Sequence, residues 1–210
     1  MRYYISDCHF FHRSLLTSMD MRPFSSVEEM NETMISKWNG KVRKNDDVVI
    51  LGDFSFGKGE ETNSVLSRLN GRLYLIKGNH DDRYLKDGAF KVSRFEWVKS
   101  YEEMKDEKRK VVLMHYPVFC YNRQNSVDQE GKPTSFMLFG HVHNTYDQVL
   151  VDRFITETRN ATRVMACGNE RSIPCQMINC FCMFSDYQPL SLDEWIESDR
   201  KRRIRLGCDG

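Results

Sequence analysis

The sequence lacks an excess of charge of either sign: 31 basic and 30 acidic side chains leave a formal charge of +1. No global field therefore draws the chain onto nucleic acid or an anionic membrane, and any phosphate-bearing partner must be met at a local site. Long hydrophobic runs are missing too. No stretch approaches the roughly 20 apolar residues of a spanning helix, and the opening MRYYISD shows no charged and apolar leader. A soluble, cytoplasmic protein with no membrane partner is expected. Its seven cysteines are an odd number, which fits reduced thiols better than a disulfide framework. Repeats, low-complexity tracts and a Pro/Gly/Ser linker are also absent. With 210 residues, 40% hydrophobic and 29% charged, the chain is expected to form one domain over 1–210.

What the chain does have is six histidines, His9, His12, His80, His115, His141 and His143, and five short apolar runs. RYYIS (2–6), DVVIL (47–51), RLYLI (72–76), KVVLM (110–114) and SFMLF (135–139) have strand length and are rich in β-branched or aromatic residues. Their apolar character is continuous rather than alternating, which predicts strands buried on both faces. Between the first two, Ser26 to Glu29 matches a capping box, and Val27, Met30, Met34, Ile35 and Trp38 share one helical face up to Asn39-Gly40. A second helix is predicted over 60–70, closed by Asn70-Gly71, and a third from the capping box Ser191 to Glu194. Around the charged turn KDEKRK, 92–114 reads as a hairpin, and 164–183 is strand-like. Strands alternating with helices make an α/β protein, here with mixed sheets.

Residues of metal-ligand type follow each run: Asp7 and His9, Asp53, Asn79 and His80, His115, and His141 and His143. In α/β sheets ligands bind beyond the carboxyl ends of the strands, so five separate segments converge on one place. Each is ordinary alone: Asp-x-His as a core histidine beside a solvated aspartate, Gly52-Asp53 and Gly78-Asn79-His80-Asp81 as turns. Gly140-His141-Val142-His143 is stronger, because histidines two apart on an extended segment point the same way, as chelation requires. Imidazole, carboxylate and amide oxygen without thiolate suit manganese, iron, zinc or nickel. The ligand set Asp7, His9, Asp53, Asn79, His115, His141 and His143 exceeds a closed zinc site and suits two divalent ions about 3.5–4 Å apart sharing one ligand. Asp53, the carboxylate central in this order, is the natural bridge.

In this order SDCH, GDF, GNHD, MHYP and GHVH resemble the calcineurin-like metallophosphoesterase superfamily, from residue 3 to residue 143. The opening YYISDCHFFH, with RPF after it, is similar to the small bacterial and phage branch. The resemblance implies a four-layer α/β/β/α sandwich of two mixed β-sheets flanked by helices, with a dinuclear site at one edge of the sheets. It implies that Asp7, His9, Asp53 and His143 hold one ion, and Asp53, Asn79, His115 and His141 the other. A bridging hydroxide would attack phosphorus in line, while His80 protonates the leaving alkoxide or stabilises the transition state. Asp81 would orient His80 or cap the next helix.

One departure concerns the protein Ser/Thr phosphatases of that superfamily, whose GD motif extends into Asp-Arg-Gly. Here the chain reads GDFSFGKG, with Phe56 where the aspartate would stand. That subclass is disfavoured, and GNHD points to phosphodiesterases and nucleases. The expected activity is hydrolysis of a small phosphodiester or phosphomonoester, the diester preferred. One rival is a nuclease on short or single-stranded nucleic acid, since the neutral charge disfavours extended duplex. The other is a non-catalytic scaffold on the same fold, as in a subunit of the endosomal sorting coat, against which the filled motif positions speak.

Substrate contacts are expected from His12 and Arg13, and from Tyr121, Asn122 and Arg123 on a polar flap over 120–135. Cys167, Cys175, Cys180 and Cys182 lack paired C-x-x-C spacing and read as buried thiols. Cys8 should face away from its ligand neighbours. The basic run from Arg200 to Arg205 is either a nucleic-acid patch or the complement of a helix dipole.

Overall fold

The computed structural model describes residues 1–164 and 166–208. Strands β1 (Arg2–Ile5), β2 (Asp47–Ile50), β3 (Arg72–Ile76) and β4 (Phe95–Lys99) pair side by side and run parallel. After Ser100 the chain crosses to a second sheet, where β5 (Tyr101–Asp106) and β6 (Arg109–Met114) form an antiparallel hairpin. Beside β6, β7 (Ser135–Phe139) runs parallel to it. The short strands β8 (Thr162–Val164) and β9 (Glu170–Ser172) pair only with each other. The second sheet ends with β10 (Met177–Asn179), parallel to β7. The hairpin expected over 92–114 is thus 101–114, because β4 belongs to the other sheet. The second sheet is mixed as expected, whereas the first is parallel in its four strands and gains an antiparallel element only through the bridge from Tyr4 to Leu190.

The continuous apolar runs sort by alternation into three cores. Tyr3, Ile5, Val48, Ile50, Leu73 and Leu75 pack under α1 (Val27–Lys41) and α2 (Gly59–Leu66), against Met30, Met34, Trp38 and Val65, with Tyr84 of the short α3 (Asp82–Leu85) in the same core. From the opposite face of that sheet, Tyr4, Val49, Leu51 and Ile76 meet Val111, Leu113, Phe136, Leu138 and Ile178 of the second. The second sheet's outer face, Val112, Met137, Phe139 and Met177, is covered by Val151 and Ile155 of α4 (Tyr146–Asn160). The layers therefore run helix, sheet, sheet, helix. The C-terminal α5 (Leu192–Arg205) closes the edge between the sheets with Leu192 and Trp195, whose indole donates to Tyr4 O at 2.9 Å.

Both capping boxes guide their helices, with Ser26 Oγ accepting from Glu29 N and Ser191 Oγ from Glu194 N. Helix α1 outlasts Asn39-Gly40 and ends at Lys41, because the Asn39 side chain is engaged elsewhere, bonding Arg68 O and Asn70 N. Helix α2 stops at Leu66, short of the expected 70. The strand-like reading of 164–183 is met by β9 and β10, while residue 165 lies outside the described residues. Among the described residues no helix is long and apolar enough to cross a membrane.

Candidate metal centre

Three of the five apolar runs, 2–6, 47–51 and 135–139, lead into backbone of the left-handed region. Asp7 (φ 53°), His9 (50°), Asp53 (51°), His141 (70°) and His143 (48°) all adopt it. Asp and His tolerate this better than most side chains, but each such residue still costs on the order of 1–3 kcal/mol, a concentration of strain typical of functional sites. Glycines let the loops approach: a Cβ on Gly52 (φ 90°) would lie 2.3 Å from His115 Nδ1, and one on Gly140 2.4 Å from Asp7 Oδ2.

The left-handed turns correct the reading of GHVH as extended. His141 and His143 do not point the same way but join different groups. One group is Asp7, His9 and His143, the other Asp53, His115 and His141, and within each the ligand atoms lie within 4.8 Å of one another. Asp53 Oδ2 touches both, 3.6 Å from His9 Nε2 and 3.5 Å from His115 Nε2. Asn79 Oδ1 is 3.0 Å from His115 Nε2. His9 Nε2 and His143 Nε2 face each other at 3.3 Å, and His143 Nε2 is 3.5 Å from Asp7 Oδ1.

These donors fit divalent ions. Asp7, Asp20, Asp53 and Asp81 bury their carboxylates to 2% exposure or less, against the single guanidinium of Arg22 close to them. Buried carboxylates in such excess need cations. His115 Nδ1 must donate to Leu51 O at 2.8 Å, which leaves Nε2 aimed at Asn79 and Asp53. Burial opposes a charge on His115, but the hydrogen bond and charge of Asp53, with that of Asp7, push it up to about 9. A proton on Nε2 thus stands where a metal would bind. Burial drives His9 well below the usual histidine range despite Asp53, and pulls His141 down in the same sense. Burial also disfavours the charge on Asp53, yet His115 and His9 hold it below the usual carboxylate range.

Several residues that brace the centre give no motif signal. Asp20 Oδ1 accepts from His143 Nδ1 at 2.7 Å, which fixes the histidine's proton on Nδ1 and frees Nε2. Burial works against the Asp20 charge, but the His143 and Arg22 contacts outweigh it and keep its pKa low. Arg22, 1% exposed, donates to Asp20, Cys8 O and Asp7 O and so fixes the loop after β1. Asp81 neither caps a helix through its side chain nor orients His80. Its carboxylate accepts from Asp53 N, Phe54 N and Gly78 N at 2.7–3.0 Å, tying the GDF and GNHD loops together. Burial and the Asp53 charge raise it to about 6. Asn179, at the end of β10, donates to His143 O and Gln148 Oε1, both at 2.8 Å. Gln148 bonds Asp152, which pairs with Arg202 and Arg203. The basic run is therefore partly an internal ion cluster between α4 and α5, with Arg202 and Arg203 buried.

His80 is half-buried beside the first group, its ring 5.4 Å from that of His9, and its backbone N–H donates to Asp53 Oδ1 at 2.8 Å. His12 joins as well, 3.2 Å from His9 through the Nδ1 atoms and stacked on Phe56 at 3.9 Å. The other expected substrate contacts do not hold together. Arg13 points outward toward Glu28 at 3.9 Å. Since β6 and β7 run parallel, the 120–135 segment must return from the carboxyl end of one to the amino end of the other, which makes it a crossover rather than a flap. Tyr121 is accordingly 4% exposed in the outer core, its hydroxyl accepting from Gln176 N, and Asn122 bonds Glu103 on β5. Arg123 stays exposed on that crossover. Cys8, Cys175, Cys180 and Cys182 are buried thiols, but Cys167 is exposed.

A two-sheet sandwich whose strand ends gather two groups of metal-ligand side chains has the architecture of the metallo-dependent phosphatase fold. The chain belongs to the calcineurin-like phosphoesterase superfamily: residues 3–171 match the model of that domain. It is 47% identical over 81 residues to an uncharacterised protein of Methanocaldococcus jannaschii, a match covering 38% of this chain and 46% of that protein. It is 35% identical over 82 residues to the gene 66 protein of Mycobacterium phage L5, covering 38% and 39%. The chain thus spans less than half the length of these relatives. A solved protein of unknown function from Aquifex aeolicus shares the fold, with a TM-score of 0.58 at 22% identity over 92% of this chain and 96% of that one.

Proposed function

We propose that the chain is a dimetal phosphoesterase hydrolysing a small phosphate ester, a phosphodiester in preference to a phosphomonoester. The observation that carries this is the position of Asp53 Oδ2, near His9 of one ligand group and His115 of the other. Asp7, His9, His143 and Asp53 would hold one ion, and Asp53, Asn79, His115 and His141 the second, with manganese, iron, zinc or nickel as the fitting metals. Bound there, two dications supply Lewis acidity toward the phosphoryl oxygens and lower the pKa of an attacking water. The chain's own part is positional and protonic. Asp20 keeps the His143 proton on Nδ1, and Asp81 holds the Asp53 and Asn79 loops in register. His80, half-buried beside His9, gives its imidazole proton to the leaving oxygen, a contribution of about 10²–10⁴ in rate. The formal charge of +1 makes extended nucleic acid a poor partner, and the free thiols among the described residues suit action in the reducing cytoplasm.

The test is metal-stripped protein reloaded separately with manganese, iron, zinc and nickel, then assayed on an aryl phosphodiester and an aryl phosphomonoester. Metal-dependent turnover, faster on the diester and lowered about 10²-fold or more in His80→Ala, is expected. No turnover of either ester with any metal would refute the reading.

A further inference from the structure

Resting on the phosphoesterase reading, we propose that Arg83, seated on Phe56 beside His80, clamps the anionic phosphate oxygens of the ester outside the metal groups. Two nearby cations are engaged elsewhere, Arg22 with the loop after β1 and Lys77 with Asp82 at 3.1 Å, while Arg13 lies toward Glu28 on the surface. Arg83 is exposed and has no carboxylate partner among the described residues. Its guanidinium carbon lies 4.4 Å from the centroid of the Phe56 ring. His12 covers one face of that ring, 3.9 Å away and tilted by 4°, so the guanidinium occupies the other.

A guanidinium carbon 4.4 Å over an aromatic ring is held by cation–π attraction, which consumes none of its N–H donors. Phe56 therefore orients Arg83 without neutralising it, which a carboxylate at this position would do. The Phe56 centroid is 5.6 Å from that of His80, and the Arg83 backbone N–H donates to His80 O at 3.2 Å, which sets Arg83 one turn beyond His80. The free fork thus stands at the edge of the candidate centre, next to the group assigned to the leaving oxygen. A planar fork with several donors matches the oxygens of a phosphate ester. The same geometry explains why His12 belongs here: it is the other half of the seat, rather than a direct phosphate ligand.

The test uses the metal-loaded full chain, steady-state kinetics on the aryl phosphodiester, and competitive inhibition by inorganic phosphate. In Arg83→Gln, KM and the phosphate inhibition constant should each rise on the order of tenfold, as for loss of one charge-assisted contact, with kcat falling less than KM rises. Arg83→Lys should recover part of the loss, and Phe56→Leu should raise KM in the same direction by less. In wild type KM should climb with added salt, and Arg83→Gln should flatten that dependence, which a purely structural arginine would not do. An active enzyme whose Arg83→Gln variant keeps the wild-type KM, phosphate inhibition and salt dependence would overturn the clamp. If wild type turns over neither ester, the phosphoesterase reading fails instead. Calorimetric titration of phosphate into both metal-loaded proteins then decides the clamp, with equal affinities overturning it.

Discussion

Replacing Asp20 with Asn should weaken one metal group and spare the other. The carboxylate serves two donors at once, His143 Nδ1 through Oδ1 at 2.7 Å and Arg22 Nε through Oδ2 at 2.9 Å. An amide offers one acceptor oxygen. If it keeps Arg22, its NH₂ faces His143 Nδ1 and drives the imidazole proton to Nε2, the atom 3.3 Å from His9 Nε2 and 3.5 Å from Asp7 Oδ1. If it keeps His143, its NH₂ meets the guanidinium instead. Loss of such an outer partner typically lowers metal affinity about 10–100-fold, or roughly 1.4–2.7 kcal/mol. Calorimetric titration of manganese into stripped protein should show the affinity of the Asp7, His9 and His143 group falling by that factor. The group of Asp53, His115 and His141, which Asp20 does not touch, should change by less than about threefold. Equal weakening of both groups, or of neither, would refute the assignment of Asp20 to His143.

Metal binding should release protons. His115 is pushed up to about 9 in the metal-free protein, so it is protonated at pH 7.5, and a metal on Nε2 must displace that proton. His9, driven well below the usual histidine range, has none to give. Manganese titrations at pH 7.5 in buffers of different ionisation enthalpy should therefore report about one proton released, fading as pH rises past 9; zero release at pH 7.5 contradicts the arrangement. Gly78→Ala would bring a Cβ to 2.2 Å from Asp53 Oδ1, and both metal affinities should collapse together. In Asn179→Leu the His143 carbonyl and Gln148 lose their shared donor. Urea unfolding should report a stability lower by roughly 1–3 kcal/mol, for buried polar groups left unpaired, and therefore a lower midpoint; an unchanged midpoint would count against the buried chain.

The five strands and the gathering of candidate ligand residues at their ends were legible because both report local chemistry. Continuous apolar runs mark strands buried on two faces, and imidazole or carboxylate after five successive runs, though ordinary after any one, is not explained by turns alone. The ordering of SDCH, GDF, GNHD, MHYP and GHVH then assigns seven candidate ligands to one place from the sequence alone. What stayed hidden depends on pairing distant in sequence. The crossover over 120–135 reads as a flap until β6 and β7 are known to be parallel, a fact that no residue within the loop announces. Positive φ at His141 and His143 is likewise invisible, since neither is glycine, and it alone sends the two rings to different groups. Helix α4 gives no clear sequence signal because its inner face mixes Val151 and Ile155 with Gln148 and Asp152, a buried polar stripe that blurs the apolar period. Asp20 and Asn179 act through single hydrogen bonds, which leave no periodic trace.

The central claim is that two ions share Asp53. Elemental analysis of the reconstituted protein, followed by aryl phosphodiester turnover on the same sample, tests it most directly when wild type is compared with Asp53→Asn. Wild type should hold two ions per chain and turn over the ester, while Asp53→Asn should hold fewer than two and lose turnover. One ion or none in wild type, or a variant that keeps both ions and full activity, would contradict the account.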